Sequence, residues 1–288
     1  MNRKVKIKNA FTLAEGGHSP LLYGDEGVAE GYSCVETRGH KVLHASKNMS
    51  FHIIKKGFTL AEVLITLGII GVVAAMTLPT LIQNYKRHEV ETRLAKFYTT
   101  INQAIQMSET VNGDKMYWEV LGHGFEKDEE GNVDKTKSIP LAWFNKYLRP
   151  YLNNVQVVVN DFGGRPMIYF NDGSLCLFDS YSWHFYPNAK DFKQYTISDE
   201  GKGLNPKEIS GIKYFTFFFS PWTNGVARKY HYKKGVEPYK VGWDGTKEML
   251  FNKSNIGCNE NATNERAYCA ALIQMNGWKI PKDYPLKF

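Results

Sequence analysis

From Phe58 to Ile82 the chain runs FTLAEVLITLGIIGVVAAMTLPTLI, 25 residues whose only ionisable side chain is Glu62. As an α-helix this stretch is about 37 Å long, enough to cross a hydrocarbon layer of ~30 Å. Lys55 and Lys56 stand just before it, which favours a cytoplasmic N-terminal side and delivery of the rest of the chain across the membrane. A cleaved secretory signal, cut near Val73-Ala74-Ala75, and a plain N-terminal anchor both fit this composition. Neither accounts for Glu62. A carboxylate in such a helix costs about 2.5–3.5 kcal/mol on insertion scales, so it calls for a partner or a function.

The residues Lys55-Lys56-Gly57-Phe58-Thr59-Leu60-Ala61-Glu62-Val63-Leu64 resemble the processing site of type IV pilins and type II secretion pseudopilins. In that family a membrane peptidase cuts after the glycine and methylates the new amine. The resemblance implies a cut between Gly57 and Phe58, with Phe58 becoming an N-methylated first residue and Glu62 the fifth. Glu62 can then neutralise the Phe58 ammonium of a neighbouring subunit inside an apolar filament core. Gly57 has no side chain to obstruct a peptidase that needs close backbone approach. Gly68, Gly71 and Pro79 interrupt helix-forming sequence, and Pro79 removes one backbone hydrogen bond; by analogy, such points let the helix loosen on assembly.

A leader of 57 residues is long for this family. Met49 begins Met-Ser-Phe-His-Ile-Ile-Lys-Lys-Gly, a leader of ordinary length, and Ala10-Phe11-Thr12-Leu13-Ala14-Glu15 echoes the later motif without an apolar span behind it. Residues 1–48 are therefore expected to carry no fold and to reflect a decayed duplication or an early start. The net charge of +7 invites a nucleic-acid or anionic-membrane partner. Nine Lys/Arg against five Asp/Glu lie in residues 1–57, leaving 27 against 24 for the remainder. The net charge of the processed chain thus gives no clear case for nucleic acid.

Four cysteines occur. Cys258 and Cys269 enclose ten residues, a spacing unlike a CxxC zinc knuckle. A disulfide suits them better than two free thiols and implies an oxidising compartment such as a periplasm. Cys176 sits in an apolar alternation and is expected to be a buried thiol.

Beyond Pro79, Val90, Leu94, Phe97, Ile101, Ala104 and Ile105 recur at three- and four-residue steps up to Ser108, opposite Glu89, Glu91, Arg93 and Lys96. Asn112-Gly113 is a plausible stop. The remainder reads as α+β. Strands are expected at Val155–Val159, Met167–Phe170, Leu175–Phe178 and Tyr214–Phe219, with Asn171-Asp172-Gly173-Ser174 as a hairpin turn. Helices are expected at Ile139–Leu152 and Ala267–Met275. The two prolines of Gly277–Pro285 suggest an extended tail held by Trp278 and the nearby disulfide; such a tail resembles the ends of a subset of pilin-like proteins. The domain plan is a leader over 1–57, a transmembrane and filament-core helix over 58–82, its amphipathic half over 83–112, and a globular head over 113–288. This is the type IV pilin-like arrangement of one long helix packed on a small antiparallel-sheet head.

No GxSxG, HExxH or Walker signature occurs, so no catalytic residue is assigned and an enzyme is not expected. His88 lacks a second histidine four residues on, and His184, among aromatics, reads as a packing residue. Asp128-Glu129-Glu130-Gly131-Asn132-Val133-Asp134 has the oxygen ligands calcium favours but not its full loop, so it reads as a solvated acidic turn, with no cofactor or metal expected. The expected function is a structural subunit of a type IV pilus or type II secretion pseudopilus-like filament. Its partners would be identical or related pilin subunits, a prepilin peptidase, an inner-membrane assembly platform, and membrane lipid before assembly. Its place would be a bacterial inner membrane, single-pass with the head in the periplasm, and later a filament. The alternative is a membrane-tethered periplasmic head that binds a ligand or acts as an enzyme, with the aromatics of Tyr181–Tyr186 as its site.

Overall fold

The computed structural model describes residues 57–160, 163–192 and 209–288. The upstream echo at Ala10–Glu15, the alternative start at Met49 and the expectation that residues 1–48 carry no fold all lie outside the described residues.

The first element, α1, spans Leu60–Asn112. Its 53 residues make a rod about 80 Å long. Thr59 caps its start: the Thr59 hydroxyl accepts from the Glu62 amide at 3.2 Å, and the Glu62 carboxylate accepts from the Thr59 amide at 2.8 Å. Each side chain thereby satisfies a donor that the first helical turn leaves open. Gly113, at φ +74°, ends the helix in the left-handed region where a side chain would be strained. Between these ends the helix is continuous through Gly68, Gly71 and Pro79.

Short elements lead into the head. Strands β1 (Phe125–Lys127) and β2 (Val133–Ser138) form an antiparallel pair. Helix α2 (Ile139–Tyr147) follows, with Ser138 accepting from the Leu141 amide. The sequence predicts this helix as far as Leu152, but it closes as a separate 3-10 turn at Arg149–Tyr151. Pro150 is the cause, since it has no N–H to donate and biases Arg149 away from the α-helical region.

The head is built on a six-stranded sheet, wholly antiparallel and in sequence order. Its strands are β3 (Gln156–Val159), β4 (Pro166–Tyr169), β5 (Leu175–Asp179), β6 (Ser182–Tyr186), β7 (Phe215–Phe218) and β8 (Glu237–Pro238). The predicted hairpin turn lies between β4 and β5. Gly173 takes φ +80° there, and Asp172 accepts from the Ser174 amide at 3.1 Å. β6 forms in Tyr181–Tyr186, a stretch expected only as an aromatic-rich segment.

One face of the sheet carries Ile168, Cys176, Phe178, Trp183, Phe185, Phe215 and Phe217 into the same core as the second half of α1. The predicted stripe is the buried one: Val90, Leu94, Phe97, Ile101, Ala104, Ile105 and Ser108. Phe97 is its centre. It stacks on Phe185 at 4.3 Å between ring centroids and meets Phe217 edge-on at 5.0 Å. The opposite face holds a smaller cluster of Met167, Leu175, Leu177, Tyr186 and Tyr214. The fold is therefore α+β, a long N-terminal helix laid on an antiparallel sheet.

Two further helices complete the head, α3 (Lys247–Asn252) and α4 (Cys269–Met275). Cys258 and Cys269 are joined as a disulfide at the start of α4, and Cys176 is buried and free. The tail departs from the extended form expected of it. Gly277 and Trp278 both take positive φ, +66° and +62°, and turn the chain back on itself after α4. Tyr284 then closes a second turn onto Pro281 at 3.1 Å. The prolines forbid regular structure but are compatible with tight turns, and Trp278 lands on Tyr98 of α1, 5.0 Å between rings.

Candidate assembly site

Residues Gly57, Phe58 and Thr59 precede the first helical residue and are exposed, Phe58 at 87%. The Gly57–Phe58 peptide bond, where the sequence leads one to expect a cut, thus sits in open, non-helical backbone. Beyond it, Leu60, Leu64, Ile65, Leu67, Ile69 and Ile70 are all exposed, and none of the most apolar window of α1 is buried against the head. Among the described residues α1 is the one helix long and apolar enough to cross a membrane. Large side chains exposed on every side of a helix need a lipid or protein environment that this single chain does not provide.

Glu62 has a definite posture within that span. Its Oε2 accepts from both the Thr59 amide and the Thr59 hydroxyl, each at 2.8 Å. No cation pairs with it among the described residues, and Oε1 carries no hydrogen bond there. Both donors lie on the Phe58 side of the Gly57–Phe58 bond, so the cap survives removal of everything before Phe58. What remains open is one carboxylate oxygen, four residues from the amine that cleavage would create.

Gly68 and Gly71 have open space where a Cβ would stand, with nothing within 4 Å. The single chain therefore does not demand glycine at either position. Pro79 leaves the Ala75 carbonyl without its usual helical donor, in a stretch where the neighbouring Thr77 hydroxyl donates to the Val73 carbonyl at 2.9 Å.

The head clasps α1 just beyond the apolar span. Arg87 donates to the carbonyls of Ile280 and Pro281 at 3.2 and 3.1 Å, and Glu91 accepts from the Ile280 amide at 2.8 Å. Arg93 donates to the Pro187 carbonyl, Lys96 pairs with Asp172 at 2.9 Å, and Asn102 donates to the Val236 carbonyl at 2.9 Å.

Three polar groupings in the head were not anticipated. Glu237 and Lys240, both buried, are bridged without touching: Gln274 accepts from Lys240 at 2.7 Å and donates to Glu237 at 3.2 Å, while Tyr98 donates to Glu237 at 2.9 Å. Burial pushes the Lys240 ammonium down to about 8, with Glu237 opposing. His184 lies 3.5 Å from Glu265, which also accepts from the Thr216 hydroxyl. Burial pushes the Glu265 carboxyl up, but the His184 charge and hydrogen bonds from His184, Thr216 and Tyr214 outweigh it and hold the group below its usual value. The buried His231 ring accepts from the Lys240 amide at 3.1 Å. Single charged letters amid aromatics give no sequence signal of burial. At the acidic turn, Asp128 accepts from the Asn132 amide at 2.7 Å and Asp134 from the Thr136 hydroxyl at 2.6 Å, so both carboxylates are engaged locally. Burial raises the Cys176 thiol well above its ordinary range, which keeps it unreactive.

A model of the prokaryotic N-terminal methylation motif, the signal of type IV pilins and pseudopilins, matches residues 54–78. That motif, the exposed apolar helix and the helix-on-sheet head together define a type IV pilin-like or pseudopilin-like protein. Within that class the chain belongs to a family of unknown function, DUF6613, whose model matches residues 80–288 and so covers the head and the amphipathic half of α1. No curated protein and no solved structure matches the chain.

Proposed function

We propose that the chain is a non-enzymatic structural subunit of a type IV pilus or type II secretion pseudopilus-like filament. A prepilin peptidase frees it from its leader between Gly57 and Phe58, and its apolar half-helix holds it in a bacterial inner membrane with the head in the periplasm. An assembly platform then draws the same half-helix out of lipid and into a bundle of identical or related subunits. One observation carries this reading: a single helix joins an apolar half of which none is buried, with one carboxylate at its fifth mature position, to a half buried in the head. The half-open Glu62 carboxylate suits the Phe58 ammonium of a neighbour. Each ion would offset the other's desolvation in a core that excludes water.

The test is mass spectrometry of the mature protein from its native host, together with sheared surface filaments from a Glu62→Gln strain. An N-methylated Phe58 at the N-terminus, and a variant that enters the membrane normally but is depleted from filaments at least tenfold, are the expected results. An intact leader, or a cut after Ala75, would replace this reading with that of a tethered ligand-binding or enzymatic head.

A further inference from the structure

The net charge of residues 58–288 conceals a local excess. Residues 219–236 hold four Lys/Arg and no Asp/Glu, leaving 23 against 24 for the rest. The connection from β7 to β8 therefore carries all the net positive charge of the processed chain. Its sequence, Arg228-Lys229-Tyr230-His231-Tyr232-Lys233-Lys234, interleaves the cations with aromatic rings.

The loop is built rather than slack. His231 is its pin: the buried ring packs on Phe218 at 4.9 Å and accepts from the Lys240 amide. Backbone bonds from His231 to Arg228, from Lys234 to His231, and from Lys233 back to Pro221 set the turns on either side. Lys229, Lys233 and Lys234 are left exposed, with Arg228 and Tyr232 half-buried. None of these four cations has a carboxylate within ion-pair distance among the described residues. Three of them rest on rings instead. Arg228 lies 4.3 Å from the Tyr181 ring centre, Lys234 lies 3.5 Å from that of Tyr230, and Lys233 lies 5.4 Å from that of Tyr232. After burial itself, the charges of Lys240, Lys234 and Arg228 are what push His231 down to about 3.

A lipid surface is out of reach of this loop. Gly235 sits against Asn102, twenty residues along α1 from Ile82, or about 30 Å. That is more than three screening lengths at physiological salt.

We propose that the loop Arg228–Lys234 is a binding site for single-stranded nucleic acid, its lysines tracking the phosphates and the Tyr232 ring receiving a base, while Tyr230 serves as the platform that holds Lys234. Lysine ammonium groups are point charges that suit phosphates without demanding a fixed fork. Alternating cations and rings are the pairing that unstructured single strands use, whereas a duplex hides its bases from such rings. The inference does not depend on filament assembly, and its test uses unassembled protein.

The full chain in a non-ionic detergent is titrated into a labelled oligothymidylate, read by fluorescence anisotropy over a salt series. Binding should weaken with salt, with a log–log slope of about −2 to −3, as three or four phosphate contacts on a single strand dictate. Replacing Lys229, Lys233 and Lys234 together by Gln should cut affinity at least tenfold and flatten the slope. Tyr232→Leu should weaken binding several-fold with the slope unchanged, which loss of charge alone would not produce. Equal binding by the triple variant would overturn the proposal, as would tighter binding of a duplex of the same length. Capture of heparin but not the oligonucleotide would reassign the loop to acidic polysaccharide.

Discussion

The Glu91 carboxylate grips the tail with both oxygens, Oε1 accepting from the Ile280 amide at 2.8 Å and Oε2 from the Lys279 ammonium at 3.0 Å. With Arg87 donating to the carbonyls of Ile280 and Pro281, this fastens the tail across α1 within ten residues of the apolar span. Removing one partner strands the Ile280 amide, at a cost of about 1–3 kcal/mol. Glu91→Ala should therefore speed tryptic cleavage after Lys279 and Lys282, while cleavage after Lys127, where β1 enters the β1–β2 turn, stays at the rate of the parent protein.

Phe97 is the contact through which α1 joins the sheet. Phe97→Ala should destabilise the head by about 3–5 kcal/mol in urea titration, as buried Phe truncations do. Membrane insertion should be untouched, since the apolar half makes no contact with the head. Lost insertion would show that the two halves of the helix are not independent.

Acid should loosen the head at His231. The buried imidazole is neutral in the fold, held down to about 3, whereas in the unfolded chain it takes a proton near 6.5. The unfolded state thus binds more protons between those values, and stability falls as pH drops through that window. From pH 7 to pH 4.5 this amounts to about 2–3 kcal/mol. Urea midpoints for the parent and His231→Leu should converge over that range. Parallel curves would mean the ring titrates alike in both states.

The Cys258–Cys269 bridge closes a short loop at the start of α4. Replacing both cysteines by serine should cost about 3 kcal/mol. The same loss should follow treatment of the parent with a reductant. Gly211 crowds this bridge, since a Cβ there would lie 2.5 Å from the Cys269 sulfur.

Much of this architecture is legible from periodicity. The stripe from Val90 to Ile105 needs only its three- and four-residue steps, because one helix face meets one sheet. The β4–β5 hairpin is announced by Asp172-Gly173, whose turn chemistry is local. β6 escapes because it follows β5 through Ser180-Tyr181, a two-residue turn with Ser180 at φ +43°, where Asn or Gly is the usual marker. The alternation of Trp183 and Phe185 was the one available signal. The buried Glu237 and Lys240 and the half-buried Glu265 could not be found in this way. Their partners include Tyr98, Gln274 and His184, distant in sequence, beside the nearer Tyr230, and no spacing rule connects them. At the processing site the reverse holds, because peptidase motif, cap and span are contiguous.

The contacts from Arg87 to Ser108 lie in a row along one side of a single continuous helix whose other half is free of the head. Tension applied to that free half, along its axis, loads the row in shear, so the tail clasp, the Phe97 stack and the Asn102 bond share the force and must yield together. A head carried on such a rod resists extraction far better than one whose contacts could be peeled away in turn.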